Sequence, residues 1–423
     1  MENTIKPQKR ISQKIAEFMF TLYMITLYIF VDREETVMIS KTVFVIFAVF
    51  TVIAVLRSKS IHIGKNVMAV YIAFTWMFAT IFWAQNGHDA TVMMKTMWQL
   101  FIQFFLAYNL FAKQSDAHDS LLRSLYISGL VLIGYSIYVY GLSDVISAMA
   151  GDGTVRFGAE INQENSFGMM NATTVLVAFY YFLYKRKFKI FHTVTVVVSF
   201  IFAMSSGSRK ALLMILGGAL IMVYKKYGWK KLYKIVAVVA ILAVVFSSAM
   251  KLPIFETISS RMESATEVVT GEGQGDSSTR SRLNMIVGGL EVFKDRIVAG
   301  YGANNYKNVT RFKTYAHNNF IEILVNFGLF GFILYYLVYF YGFKNLWKTQ
   351  NDAGKALFAI FIVRFVMELA MVTYYGKIHW VMMAFYLISI EKNLNENKSP
   401  EEYSGAENLV LEESVAVGEE TIG

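Results

Sequence analysis

Apolar residues in this chain fall in long blocks separated by short polar stretches, and they do not alternate over short runs. Blocks of that kind predict membrane spans rather than half-buried strands. A hydrocarbon layer about 30 Å thick is crossed by a helix of roughly 20 apolar residues. By that rule ~12 segments qualify. Their centres are near Tyr23, Ala48, Thr75, Gln103, Leu132, Leu176, Val196, Leu216, Val239, Ile333, Val366 and Ala384. The first block, Ile15 to Val31, has no small-residue cleavage site after it and reads as a span, not a signal peptide. The last segment is short enough to be re-entrant. The expected fold class is an all-α polytopic membrane protein. Its membrane domain covers 1–391, and 392–423 form an acidic, apolar-poor tail with the composition of a disordered segment.

Charge sets the expected topology, because short cytoplasmic loops collect lysine and arginine. The N-terminus carries Lys6, Lys9, Arg10 and Lys14, and every second loop after it is also basic, as at Lys185-Arg186-Lys187 and Lys225-Lys226. The alternate loops are poor in positive charge, as at Gln85-Asn86-Gly87-His88-Asp89. Both termini are therefore expected in the cytoplasm. Two outer segments exceed turn length, at about 142–163 and about 251–316, the second lying between the ninth and tenth spans. Within it, Leu283, Ile286, Val287, Leu290 and Phe293 share one helical face. That face suits a helix lying on the membrane surface and equally one packed over the bundle. The two halves of the chain show no inverted repeat of the kind many transporters carry.

Composition narrows the chemistry. Of 423 residues, 55% are hydrophobic and 17% charged, against about a quarter charged in a soluble domain. With 0 cysteines, disulfides and thiolate chemistry are excluded. The formal charge of +9 lies in the basic loops, so it indicates membrane orientation rather than nucleic acid.

Four polar clusters are predicted at the outer ends of spans. They are Arg156 to Asn165, Ser205 to Lys210, Arg280 with Arg282 leading to Gly300-Tyr301-Gly302, and Ala316-His317-Asn318 with Glu322. Arginine suits phosphate because its planar fork donates paired hydrogen bonds and stays charged. A departing diphosphate needs such donors as its negative charge grows. A histidine titrating near neutrality can take a proton from an attacking hydroxyl. The constellation fits transfer of a sugar from a lipid diphosphate to a hydroxyl. Each residue also has a plainer reading: Arg209 as a headgroup anchor, His317 as an ordinary helix-start residue, Arg156, Glu160 and Glu164 as solvated loop charges. Their convergence on one face is what favours the site. The outer loops hold no histidine pair or paired-aspartate motif of a metal site, although Asp32 or Glu34 could serve a metal-dependent enzyme. Arg364 and Glu368 stand at i and i+4 within the eleventh segment, which favours a mutual ion pair facing the bundle over contact with substrate. Gln99 and Gln103 share that spacing and are expected to bind neighbouring helices.

These motifs, together with Phe82-Trp83-Ala84 and Gly328, resemble those of the O-antigen ligase and polymerase superfamily, which holds WaaL-like ligases and Wzy-type polysaccharide polymerases. The resemblance covers roughly residues 70 to 345. It implies a metal-independent GT-C-like glycosyltransferase acting on undecaprenyl-diphosphate-linked glycans, without a cofactor. It matches Arg209 and Arg282 to diphosphate-holding arginines, with Arg156 and Arg280 as further candidates. Asn162, Asn165 and Asn318 join the substrate-binding set, and His317 matches the residue that activates or orients the acceptor, with Glu322 beside it. The chain departs from the family at Asn162-Gln163-Glu164-Asn165, where asparagine-proline-asparagine is common. The function implied is polymerisation of repeat units into a capsule, exopolysaccharide or O-antigen on the outer face of the cytoplasmic membrane. A ligase is the first alternative and a lipid-linked oligosaccharide flippase the second. A chain-length regulator and a flippase are the partner proteins that go with it.

Overall fold

The computed structural model describes residues 9–59, 61–145, 157–231, 233, 237 and 277–396. Among them there are helices and connecting segments and no strands. The helices in chain order are α1 (Ile11–Ile29), α2 (Val37–Ser58), α3 (Lys65–Ala79), α4 (Gly87–Phe111), α5 (Ala117–Tyr140), α6 (Glu164–Tyr180) and α7 (Lys189–Ser205). They continue with α8 (Arg209–Tyr227), α9 (Ser277–Phe293), the short α10 (Tyr306–Val309), α11 (Asn319–Leu346), α12 (Asp352–Met367) and α13 (Lys377–Glu396). Every segment centre expected from the apolar blocks lies in one of these helices except Val239, which is outside the described residues. The last segment is a helix of 20 residues, longer than its apolar run suggested, because polar Glu391 and Lys392 still lie within it.

Among the described residues, five helical stretches are long and apolar enough to cross a bilayer, including Val37–Ser58, Ala117–Tyr140 and Asn319–Leu346. Their outward faces say the same thing. On α2, Val45, Val49, Val52 and Leu56 are exposed at helical spacing, and on α7 so are Ile190, Val194 and Val197. Apolar stripes of that length are stable against lipid and not against water. The protein is a multi-pass membrane protein. Aromatic side chains fill the interior between α1, α2, α3, α4 and α13: Phe20 meets Phe111 edge-on at 4.9 Å and Trp380 meets Phe74 at 4.3 Å. Gln103 joins three elements, accepting from the Tyr23 hydroxyl at 2.6 Å and donating to the Lys377 carbonyl at 2.7 Å.

The segment that ends the long loop is bound to a break in α11. Gly328 has φ 69°, which interrupts the helix and frees backbone groups on both sides. The Val325 and Asn326 carbonyls accept from the Tyr301 and Gly302 amides at 2.9 and 2.8 Å, and Leu329 donates to the Ile297 carbonyl at 2.7 Å. A Cβ on Gly328 would meet the Val298 oxygen at 2.1 Å, and one on Gly300 would meet the Gly328 nitrogen at 2.6 Å. Only glycine allows this crossing. Asn326 then ties in the next turn, accepting from the Asn305 and Tyr306 amides at 3.0 and 2.8 Å.

The 280–293 helix has a packed side and an apolar open one. One side of α9 packs through Met285, with Tyr301, Tyr306 and Val325, into a small core over α11. The opposite side leaves Leu283, Val287 and Leu290 exposed.

Candidate functional site

A cavity of about 370 Å³ opens at one end of the bundle. Five elements converge on it: the end of α1 with Tyr28 and Asp32, the start of α6 with Asn165, and the start of α8 with Lys210. The turn before α11 brings Tyr315 and His317, and the stretch from the end of α12 into α13 brings Arg364, Lys377 and His379. Three of the four polar clusters picked out from the sequence therefore contribute to one wall.

The wall is cationic for local reasons. The turn before α8 closes through Gly207 at φ 65°, whose amide donates to the Met204 carbonyl at 2.8 Å. This turn sits tightly on α6, where a Cβ on Gly168 would meet the Ser206 hydroxyl at 2.4 Å. Ser208 at the N-cap of α8 makes no capping bond, and its buried hydroxyl has no hydrogen-bond partner among the described residues. An uncapped helix N-terminus with a spare hydroxyl attracts anions. Lys210, in the first turn, lines the cavity and donates to the Ala370 carbonyl at 3.2 Å.

His317 stands at φ 53°, a left-handed conformation that is unusual for a residue with a Cβ. Its ring lies 4.1 Å from that of Tyr315. Burial, reinforced by Arg282 and Lys210, holds its pKa down at about 4. The imidazole is therefore neutral at pH 7, the form that can accept a proton. An anion among these cations would offset their effect. We expect the His317 midpoint, followed by NMR of labelled histidine, to rise from about 4 when pyrophosphate is added. Because the pKa rises on binding, binding takes up a proton and tightens as pH falls toward the new midpoint. An unmoved midpoint would place the anion away from His317.

Other expected site residues lie behind the wall. Glu322 is 2% exposed, accepts from the Ala316 amide at 2.7 Å and the Asn326 side chain at 3.1 Å, and so holds the turn that presents His317. Asn318 caps α11 by accepting from the Ile321 amide at 3.0 Å and donates to the Leu369 carbonyl at 3.0 Å. Asn162 is buried and donates to the Tyr28 carbonyl at 2.6 Å. All three position the wall rather than face the cavity. Arg209 opens α8 beside Lys210, and Arg282 acts electrostatically on both Lys210 and His317. Arg280 is exposed on α9 and does not line the cavity. Arg156 lies outside the described residues.

The expected Arg364–Glu368 ion pair is corrected by the structure. Among the described residues no ion pair joins them, although they are one turn apart. Glu368 is the C-cap of α12, not mid-span, and is completely buried. Its carboxylate already accepts from Asn319 at 2.9 Å, Tyr336 at 2.8 Å, Tyr339 at 2.5 Å and Thr373 at 2.7 Å. With its acceptor sites filled by neutral donors, Glu368 leaves the guanidinium to the cavity. Sequence reasoning thus favoured the ion pair over substrate contact for Arg364, held Lys210 in a polar cluster without a role of its own, and passed over Lys377 and His379. The available signal was the cost of an arginine within an apolar helix; the saturating donors come from three separate segments and leave no local trace.

Fold and site together define a polytopic helical membrane protein with a cation-lined cavity at one end of its bundle. Residues 194–336, from α7 into α11, match the O-antigen ligase family. This match supports the resemblance to the O-antigen ligase and polymerase superfamily that the motifs carry, and with it an enzyme in general. No curated protein matches the chain.

Proposed function

We propose that this protein polymerises undecaprenyl-diphosphate-linked oligosaccharide repeat units into a surface polysaccharide on the outer face of the cytoplasmic membrane. The observation that carries this reading is the gathering of Lys210, Arg364 and Lys377 around a cavity that also holds a neutral His317. The cations, with Arg209 and Arg282 close by, hold the diphosphate of the donor. An acceptor hydroxyl attacks the anomeric carbon as the bond from that carbon to the phosphate oxygen breaks. The diphosphate leaves with the electron pair, and the hydroxyl proton passes to His317. The basic loops keep both termini in the cytoplasm, with ~12 spans between them. No metal takes part, so activity should survive full chelation.

The match to the O-antigen ligase family favours one second reading, a ligase that moves a finished glycan to another acceptor. The donor and leaving group are then unchanged. Chain-length analysis after gene deletion separates the two. Single repeats left on the lipid carrier support the polymerase, whereas long unattached chains overturn it in favour of the ligase. Flipping without new glycosidic bonds, in reconstituted vesicles, would defeat both.

His317→Ala should lower polymer formation by about 10²–10⁴-fold, the usual worth of a positioned proton acceptor. Arg209→Lys should recover little of the loss in Arg209→Ala, because an ammonium cannot donate paired bonds. Polymer yield and membrane insertion, measured together, check both.

A further inference from the structure

A second cavity, of about 380 Å³, lies at the opposite end of the bundle from His317, against the start of α1 and the ends of α2 and α4. The 19 residues of α1 separate the two cavities by about 28 Å. We infer that this cavity binds the phosphate headgroup of an anionic phospholipid.

Several independent features point there. Arg10 occupies the N-cap of α1 without a capping side-chain bond, and its carbonyl accepts from the Gln13 amide at 3.0 Å, which leaves the Ile11 and Ser12 amides at this cavity-lining helix start uncapped. Ser12, also on the wall, is 8% exposed, and its hydroxyl has no partner among the described residues. Lys9, Arg10 and Lys113 line the cavity against one carboxylate, Asp116, which Lys9 already pairs at 3.0 Å while also pairing Glu17 at 2.9 Å. That leaves Arg10, which also donates to the Arg57 carbonyl, and Lys113, which is exposed and makes no ion pair among the described residues. A cation surplus beside open amides calls for an anion.

The surroundings say which one. Ile11, 77% exposed, and Leu56, 65% exposed, are the chain neighbours of the lining residues Arg10, Ser12 and Val55, and Leu56 ends the lipid-facing stripe of α2. The cavity therefore sits where acyl chains give way to headgroups, and a phospholipid there would place its tails on that stripe and its phosphate among the amides. Basic pockets between membrane helices take such headgroups.

Native mass spectrometry of the intact protein, delipidated and then given phosphatidylglycerol or phosphatidylcholine, tests this. The wild type should retain phosphatidylglycerol selectively. Lys113→Glu should bind it at least about tenfold more weakly, as loss and reversal of one surface-membrane charge implies. Ser12→Ala should weaken it to a smaller degree. Lys344→Glu, exposed on α11 outside the cavity, should leave retention unchanged. Lys113 is exposed, so its variant should fold, and an unchanged melting temperature without lipid checks that. Equal retention by Lys113→Glu and wild type would overturn the assignment. So would displacement of the lipid by inorganic phosphate at equal concentration, which would mark a free-anion site.

Discussion

Arg364→Ala should nearly abolish polymer formation while the protein still inserts and folds. An arginine inside a membrane protein is costly unless an anion or a set of acceptors meets it. Arg364 lines the cavity, and among the described residues it has no ion pair. The nearest carboxylate in sequence, Glu368, is saturated by Asn319, Tyr336, Tyr339 and Thr373. Removing Arg364 thus orphans no buried acceptor. What is lost is a fork of charge-assisted donors to the diphosphate, each worth about 1.5–3 kcal/mol. Two such bonds, strengthened as the leaving group gains charge, correspond to a rate loss of roughly 10²–10⁴-fold. Arg364→Lys keeps the charge but not the fork, and should recover only a small part. Arg280→Ala, on an exposed residue away from the cavity, should stay close to wild type and controls for expression. Polymer per inserted protein is the measurement. Near-normal polymer from Arg364→Ala would remove this residue from the donor site, and Arg209→Ala, read in the same assay, would show whether the other cations carry it.

The sequence disclosed different levels of this molecule unevenly. Helices were legible because each is an apolar block, and a block is a local property. The turn at Gly207 and the motif glycines Gly300 and Gly328 were visible as residues, but their purpose was not. Gly300 and Gly328 meet through space, and only the crossing shows why neither tolerates a Cβ. His317, Lys210 and Asn165 stood within clusters read as one face, and they do share a cavity. The frame behind them was not legible. Glu322, Asn318 and Asn162 have the polarity of site residues, yet their partners are backbone groups of remote turns. For Arg364, a local rule pointed the wrong way. The i, i+4 spacing predicts pairing only when no better donors reach the carboxylate.

Those donors make Glu368 the residue whose loss should most damage the fold. Its carboxylate joins the start of α11 through Asn319, the middle of α11 through Tyr336 and Tyr339, and the loop before α13 through Thr373. Its backbone carbonyl also accepts from the Asn319 amide at 2.8 Å. Glu368→Ala keeps that backbone bond but leaves three buried donors, Asn319, Tyr339 and Thr373, and the half-buried Tyr336 without their acceptor. Each orphaned group costs about 1–3 kcal/mol, with partial relief as hydroxyls rotate, so a loss on the order of 3–5 kcal/mol follows. That is a large share of the roughly 5–15 kcal/mol by which proteins are stable. Glu368→Gln should cost much less. Its carbonyl can replace the oxygen that accepts from Asn319 and Tyr336, and its amide can donate to the hydroxyls of Tyr339 and Thr373, which are able to accept. Thermal unfolding in detergent distinguishes the two. A strong drop for alanine and a small one for glutamine would establish Glu368 as the acceptor that fastens α11, α12 and the cavity loop together. An alanine variant that melts with the wild type would show that these donors find other partners. Saturation of Glu368 would then no longer account for Arg364 facing the cavity.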